Sequence, residues 1–96
     1  MAASTRQGDC CTGHDSCGSV PLVGCSADVF INGKGAGRKG DEYLPHGCIA
    51  HPSHADVISS GSSTVFINGI SAARIGDSVS IGGIVQDGSG NVFIGG

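Results

Sequence analysis

The feature that most constrains the fold is a pattern of thirteen residues that occurs more than once. Residues 65–77 read VFINGISAARIGD, and residues 29–41 read VFINGKGAGRKGD, 36 positions earlier and in step throughout. A third copy starts at 92–96 with VFIGG and stops, while an isolated RQGD stands near the beginning of the chain at 6–9. Three Val-Phe-Ile triplets and three Arg-x-Gly-Asp tetrapeptides predict a structure built from three similar units.

The incomplete copies at the two ends of the chain complement each other. The final triplet lacks its Arg-x-Gly-Asp, and the first tetrapeptide lacks its triplet. We therefore predict a single domain, 1–96, whose units span approximately 28–60, 64–90, and 91–96 completed by 4–27. In such a closed ring the two termini lie close together.

Composition favours strands over helices. The chain has 17 Val and Ile against two Leu and one Met, together with 18 Gly, and β-branched residues interrupted by Gly are typical of short strands joined by tight turns. We predict an almost all-β fold. Because a domain of this size buries only about 60–65% of its unfolded surface, its stability margin is thin.

The turns of each unit can be predicted from residue type. Asn-Gly follows two of the triplets, at 32–33 and 68–69, and predicts type I′ hairpin turns with positive φ at both residues. The Gly-Asp pairs at 8–9, 40–41 and 76–77 predict turns in which Gly has positive φ and Asp bonds nearby backbone. Each Arg is expected to reach the Asp of a neighbouring turn or to lie over the ring edge, and the triplets are expected to form the core and the base.

Charge and terminal sequence exclude several classes of protein. The net charge is −3 and the five basic residues are scattered singly, which argues against nucleic acid as a partner. The N-terminal residues lack the apolar stretch of a secretory signal, and no run approaches the ~20 apolar residues of a membrane span. These features predict a chain that is cytoplasmic when made.

The cysteines do not form an obvious disulfide framework. Their number is odd, at five, in a chain without a secretory signal, so metal ligation competes with disulfide formation as an explanation. Cys17 and Cys25 are interpreted as small buried residues. The roles of Cys10 and Cys11 stay open, and Cys48 lies among histidines.

The histidines point to a metal site. Three of the four lie within nine residues, and His14 and His46 each stand five residues after a Gly-Asp pair, where the third unit has Gly82. The ring would bring such loops to one pole. The alternative is that each His is an exposed loop residue. The candidate ligands for a structural Zn²⁺ are His14, His46, Cys48, His51 and His54.

The sequence gives little support for catalysis. A hydrolytic zinc site keeps an open position and a nearby base, yet the chain has a single Glu, Glu42, at a spacing that fits no zincin helix. The Ser-rich segment 59–63 has no nucleophile elbow around it. We therefore predict that the protein is not an enzyme.

The repeat carries a family resemblance. Residues 61–69 read GSSTVFING, residues 71–77 read SAARIGD, and the chain closes with NVFIGG at 91–96. This pattern resembles the Pro-Ala-Ala-Arg (PAAR) repeat proteins over essentially the whole chain. The chain departs from the family at Ser71 and Gly35, which stand where the family often has Pro.

The resemblance implies a fold and a metal site. The fold is a small cone of three β units with pseudo-threefold symmetry. The family's structural zinc near the vertex is held by three His and one Cys, and His14, His46 and His54 fit the histidine positions. Because Ile81 stands where many members carry the Cys, the resemblance leaves Cys48 or His51 as the fourth ligand.

The resemblance also implies a mechanical role. The base of the cone would sit on the trimeric β-helical spike of a type VI secretion apparatus or a contractile phage tail, where the tip aids membrane piercing and the attachment of separate effector proteins. It would assemble in the bacterial cytoplasm, or on the phage virion tail, and meet a membrane only transiently. The alternative is a free-standing small zinc-binding protein with an enzymatic or metal-buffering role.

Overall fold

The fold is almost entirely β. The computed structural model describes residues 1–13, 18–48 and 51–96, which contain eight short strands and one 3₁₀ turn, Ser80–Gly82. The strands are β1 (Ala2–Ala3), β2 (Phe30–Ile31), β3 (Lys34–Gly35), β4 (His46–Cys48), β5 (His51–His54), β6 (Phe66–Ile67), β7 (Ile70–Ser71) and β8 (Phe93–Ile94). The all-β prediction is confirmed. None of the described elements is a helix long and apolar enough to cross a membrane.

Three of the two-stranded sheets correspond to the three copies of the repeat. β2 pairs with β3, β6 with β7, and β8 with β1, in each case antiparallel. In the last pair Ala2 lies opposite Ile94 and Ala3 opposite Phe93, so the N-terminal strand supplies the return arm of the final hairpin. The predicted meeting of the two termini is confirmed.

The Asn-Gly turns have the predicted conformation. Asn32 and Gly33 have φ of 55° and 78°, and Asn68 and Gly69 have φ of 56° and 76°. Two consecutive residues with positive φ match the right-handed twist of the flanking strands, and Asn and Gly are the residues that tolerate this conformation best. Each turn therefore connects its strands with two residues.

The segments that follow the three hairpins are joined by a closed triangle of backbone hydrogen bonds. Thr5 N donates to Ala73 O (3.2 Å), Ala73 N to Gly37 O (3.1 Å), and Gly37 N to Thr5 O (2.9 Å). A Cβ on Gly37 would lie 2.7 Å from Thr5 Cγ2 and 2.9 Å from Leu22 Cδ2, so only Gly fits there. The triangle ties one residue of each unit to the other two.

The core consists of two clusters, each drawn from all three units. The first, which we call the hairpin cluster, contains Ile31, Ala36, Ile67, Ala72 and Ile94, with Val65 and Val92 packed against it. The second, which we call the loop cluster, contains Cys11, Leu22, Tyr43, Ile58, Ala73, Val79 and Val85, with Val20 packed against it. Among the described residues, both buried clusters are shared by all three units.

The Val-Phe-Ile triplets, predicted to form the core and the base, place only part of each triplet in the core. The isoleucine of each triplet is buried in the hairpin cluster, whereas the phenylalanine before it is exposed. Successive side chains of a strand point to opposite faces, so a buried Ile puts the adjacent Phe outside. The exposed residues are Phe30, Phe66 and Phe93.

Candidate functional site

The most prominent surface feature is a set of three exposed phenylalanines on the three hairpins. Phe30, Phe66 and Phe93 are 60%, 57% and 51% exposed. Each occupies the same register position, since their cross-strand partners are the small residues Gly35, Ser71 and Ala3. Large apolar side chains repeated on a surface are typical of a protein-binding site.

A serine four residues before each Phe-bearing strand organises the hairpin that follows. The Oγ atoms of Ser26, Ser62 and Ser89 each accept a hydrogen bond of 2.9 Å from the backbone N–H of the Val three residues later. Ser26 Oγ also donates to Asn68 Oδ1 and Ser89 Oγ to Asn32 Oδ1, both at 2.6 Å. These buried serines therefore join neighbouring hairpins.

The three serines were not recognised in the sequence, although a signal was available. Ser26, Ser62 and Ser89 each precede the Val of a Val-Phe-Ile triplet by three residues. That spacing matches the local side-chain to backbone hydrogen bonds that Ser commonly makes. Searching the repeat upstream of its apolar triplet would have found them.

Each Arg-x-Gly-Asp turn is closed by an ion pair within the turn. The three pairs are Arg6 with Asp9 (2.9 Å), Arg38 with Asp41 (3.0 Å) and Arg74 with Asp77 (2.9 Å). Each Asp also accepts from the backbone N–H of its Arg, at 2.9, 2.8 and 2.7 Å. The hydrogen bond to the Asp raises the pKa of each Arg above its ordinary value.

These turns confirm one prediction and correct another. The Gly residues Gly8, Gly40 and Gly76 have φ of 91°, 91° and 94°, as the turn prediction required. The Arg side chains do not reach the Asp of a neighbouring turn, as one expectation held. The pairing stays local because Arg and Asp three residues apart in a tight turn already face each other. Two hydrogen bonds per pair, from Nε and Nη2 to the carboxylate, hold the guanidinium in place.

Three of the cysteines are free thiols with different surroundings. Cys11 is buried in the loop cluster, while Cys10 and Cys25 are half-buried. Cys25 is thus less buried than expected, and Cys17 lies outside the described residues. Burial raises the pKa of the Cys10 thiol, with a further contribution from the charge of Asp87.

The predicted metal ligands fall partly outside the described structure. His14 lies outside the described residues. For β4 and β5 the backbone register places His46 opposite His54 and Cys48 opposite His51. The side chains of His46, Cys48 and His51 also lie outside what the structure describes. The predicted site therefore has two of its histidines paired across one hairpin.

The side chain of His54 has a carboxylate partner that sequence reasoning missed. Its Nε2 lies 3.1 Å from Oδ1 of Asp56, whose side chain is fully buried. A metal-ligating His typically donates the N–H of its other ring nitrogen to a carboxylate or carbonyl. The contact with Asp56 therefore engages Nε2 of His54. A carboxylate two residues after a candidate ligand was the available signal.

Among the side chains that the structure describes, no group of three or more His, Cys, Asp and Glu is arranged to hold a metal ion. That set excludes His14 and the side chains of His46, Cys48 and His51. The predicted zinc ligands therefore stay a prediction.

Comparison with known families decides the classification. A family model described as the PAAR motif matches residues 50–96. The C-terminal half of the chain thus carries a PAAR motif. PAAR-motif proteins are structural proteins associated with the spike tips of type VI secretion systems and related contractile injection systems. No curated protein matches the chain.

The matched region of this PAAR-motif protein contains the second full repeat and the final triplet. In its Ser-Ala-Ala-Arg tetrapeptide, Ala72 and Ala73 are fully buried, one in each core cluster. Arg74 closes its turn on Asp77. The motif that defines the family therefore acts here as the junction between hairpin, core and turn.

Proposed function

We propose that this protein is the tip of the spike of a type VI secretion apparatus or a contractile phage tail. It docks on the blunt end of a trimeric β-helical spike protein through the surface that carries Phe30, Phe66 and Phe93. The observation that carries the proposal is the exposure of these three side chains at one register position of three equivalent hairpins. The PAAR motif in the C-terminal half of the chain supports it.

The number of phenylalanines suits a trimeric partner. Three copies of one contact on a single chain can each meet the same surface of a different subunit, so a monomer can cap a threefold assembly. Burying the exposed half of a Phe side chain contributes about 2 kcal/mol. Aromatic side chains are also favoured as anchors of protein interfaces.

The test is binding of Phe variants to the trimeric spike protein of the same bacterium or phage. Replacing Phe30, Phe66 and Phe93 together by Asp removes the apolar contact and introduces charge at each point. We expect the triple variant to lose binding completely in size-exclusion chromatography and surface plasmon resonance. Each single variant should weaken binding at least tenfold.

The control is Ile84→Asp, which changes a side chain that is 47% exposed and precedes Val85 of the loop cluster. Ile84→Asp should bind the spike as the unmodified protein does. Undiminished binding by the triple Phe variant, or no binding of the unmodified protein to any spike trimer, would contradict the proposal.

The second part of the proposal is a structural Zn²⁺ held by His14, His46, His54 and either Cys48 or His51. Two observations support it: the cross-strand position of His46 and His54, and the contact of His54 Nε2 with buried Asp56. Nitrogen and sulfur donors in a set of four suit tetrahedral Zn²⁺.

When bound, the metal supplies a crosslink between loops far apart in sequence. Asp56 would help to hold the imidazole ring of His54 in one orientation. A thin core gains folding free energy from such a crosslink. It would also keep the loops together when the tip is driven through a membrane.

Metal analysis tests the zinc part independently of spike binding. Protein purified without chelator should contain about one Zn²⁺ per chain, and EDTA should lower its melting temperature. Asp56→Asn should reduce metal affinity about 10- to 100-fold, whereas Glu42→Gln, which removes an exposed carboxylate, should not. If the purified protein contains no zinc and EDTA does not change its melting temperature, the proposed metal site is wrong. That result would not affect the docking proposal.

The setting follows from the proposed role. The tip assembles on its spike in the bacterial cytoplasm, or on the phage tail, and is then ejected across the cell envelope towards a target cell. The tip would also offer a point of attachment for effector proteins. Contact with a membrane is limited to the moment of piercing.

A further inference from the structure

One corner of the Phe-bearing surface differs from the other two. Arg6 Nη1 donates to Asn32 Oδ1 at 3.0 Å, and Arg38 Nη1 donates to Asn68 Oδ1 at 3.2 Å. In both cases the acceptor is the turn Asn of the next hairpin. Two of the three guanidinium groups are therefore held by a neighbouring unit as well as by their own turn.

The third guanidinium has no such acceptor. Gly95 follows the Ile of the last triplet, where the other two hairpins have Asn, and it offers no side chain. Arg74 bonds Asp77 through Nε (3.2 Å) and Nη2 (2.9 Å), but its Nη1 has no hydrogen-bond partner among residues 1–13, 18–48 and 51–96.

A second contact is also confined to the first two corners. Arg6 Nη2 donates to Gly88 O at 3.4 Å and Arg38 Nη2 to Cys25 O at 3.2 Å, each in addition to its own Asp. In the described part of the chain, Arg74 makes no corresponding bond to a backbone carbonyl. Its guanidinium thus has more donors left for a partner than either of the other two.

The position of Arg74 connects it to the docking surface. Ser4 forms a β-bridge with Arg74 and donates its backbone N–H to Val92 O at 3.0 Å. Val92 directly precedes Phe93, one of the three exposed aromatics. Arg74 therefore lies beside the hairpin that carries this anchor, at the edge of the proposed interface.

We propose that Arg74 Nη1 donates to a carboxylate of the spike trimer and thereby contacts one of its three subunits differently from the other two. The inference rests on the proposed function. A homotrimer presents the same carboxylate on each of its three subunits. Nη1 of Arg6 and of Arg38 already donates to Asn32 and Asn68, so only Arg74 has this donor left for a spike carboxylate. A charged donor pairs best with an ionised acceptor, which identifies the chemistry of the partner group.

The tip can sit on a homotrimer in three orientations related by 120° rotation, and these are equivalent. The Arg74 contact therefore favours none of them over the others. Its consequence is that a nearly threefold tip breaks the symmetry of its partner. One spike subunit has an engaged carboxylate, and the other two do not.

The sharpest test adds an acceptor instead of removing a donor. Gly95→Asn supplies an amide at the repeat position of Asn32 and Asn68, on a backbone without their positive φ. A Cβ at this position would lie 3.5 Å from Met1 Sδ, an ordinary contact. The new amide oxygen should occupy Arg74 Nη1. We expect an unchanged or higher melting temperature together with about tenfold weaker binding to the spike, the effect of losing one charged hydrogen bond.

Gly90→Asn is the matched control, because Gly90 is exposed and a Cβ there would have open space around it. The equivalent positions of the other two units carry side chains, Ala27 and Ser63. Gly90→Asn should bind the spike normally. A second pair of variants compares Arg74→Lys with Arg38→Lys. Both lose the paired hydrogen bonds to their own Asp, and Arg38→Lys also loses the bonds to Asn68 and Cys25, so its melting temperature should fall at least as far as that of Arg74→Lys. Only Arg74→Lys should also weaken spike binding about tenfold.

The outcomes separate the two proposals. If the unmodified protein does not bind a spike trimer, the docking proposal and this inference are both overturned. If it binds, and Gly95→Asn and Arg74→Lys bind as well as their controls, the Arg74 contact alone is overturned. Selective weakening of these two variants supports it.

Discussion

At the scale of the residue, one position departs from the repeat in a way that costs stability. Ala36 and Ala72 are fully buried in the hairpin cluster, and Ser4 stands at the same place in the third unit. The backbone N–H of each of these three residues donates to the carbonyl oxygen of the Val that precedes the partner strand, at 2.9 to 3.0 Å. Ser4 is also fully buried, yet its Oγ has no hydrogen-bond partner within the described residues.

Replacing Ser4 by Ala should therefore stabilise the protein. An unsatisfied buried hydroxyl costs about 1–3 kcal/mol, and Ala already fits the two equivalent sites. We expect Ser4→Ala to raise the free energy of unfolding by about 1 kcal/mol in urea titrations. The reverse change, Ala72→Ser, should lower it by a similar amount. A loss of stability in Ser4→Ala would show that the hydroxyl is satisfied.

At the scale of the element, the return arm of each hairpin packs against the segment that precedes the first strand of the same hairpin, and the side-chain volumes of the two are complementary. The facing pairs are Cys25 with Gly35, Gly61 with Ser71, and Gly88 with Ala3. In each pair one partner is Gly and the other carries a small side chain. Two short strands thus approach closely, and a hairpin of only four paired residues becomes part of a packed structure.

Substituting Gly35 by Ala should disrupt this packing. A Cβ there would meet Sγ of Cys25 and lie 2.7 Å from Ser26 O. Overpacking of this kind costs about 1–3 kcal/mol, which denaturant unfolding can measure. Gly90→Ala, where a Cβ has open space, should leave stability nearly unchanged.

The double variant Cys25→Gly with Gly35→Ala reproduces the arrangement of Gly88 with Ala3. It should lose less stability than the two single variants together, with a coupling of at least 0.5 kcal/mol, roughly the lower limit for residues in contact. Additive losses would mean that the clash with Ser26 dominates.

At the scale of the whole molecule, stability depends on a core shared by all units. Cys11, Tyr43 and Val79 each stand two residues after the Asp of an Arg-x-Gly-Asp turn, and all three belong to the loop cluster. Tyr43 is fully buried. Burial raises its pKa well above the ordinary value, and the charges of Cys11 and Asp9 raise it further.

The raised pKa of Tyr43 predicts loss of stability in alkali. The unfolded chain releases the Tyr proton near pH 10, whereas the folded state holds it to higher pH, so the folded state is favoured below pH 10 and loses that advantage as pH rises further. Urea midpoints should therefore fall above about pH 10. Tyr43→Phe should flatten this part of the curve.

The raised pKa of Cys10 acts in the same direction at lower pH, near the ordinary value for a thiol. The Cys10 contribution is the same in Tyr43→Phe and in the unmodified protein. The difference between their pH curves therefore measures the contribution of Tyr43. Parallel alkaline losses in the two would show that Tyr43 does not ionise on unfolding in this range.

The repeat by itself determined much of this protein. Asn-Gly and Gly-Asp predicted the turns because positive φ is a local property of these residues, and the pairing of the final triplet with the N-terminus followed from counting repeat fragments. The family was recognisable from the same residues. Residue type also singled out the His and Cys candidates, because few other side chains bind zinc.

Only the tertiary structure decided how the units share a core and which side chains are left outside. Phe and Ile are both apolar, so composition could not separate the exposed Phe66 from the buried Ile67; the pleat of a strand packed on other units did. The hydrogen bond from Ser26 to Asn68 likewise comes from chain folding, because it joins two units that are far apart in the sequence. A local motif determines its own turn, but what it faces depends on the neighbours that the closed chain brings to it.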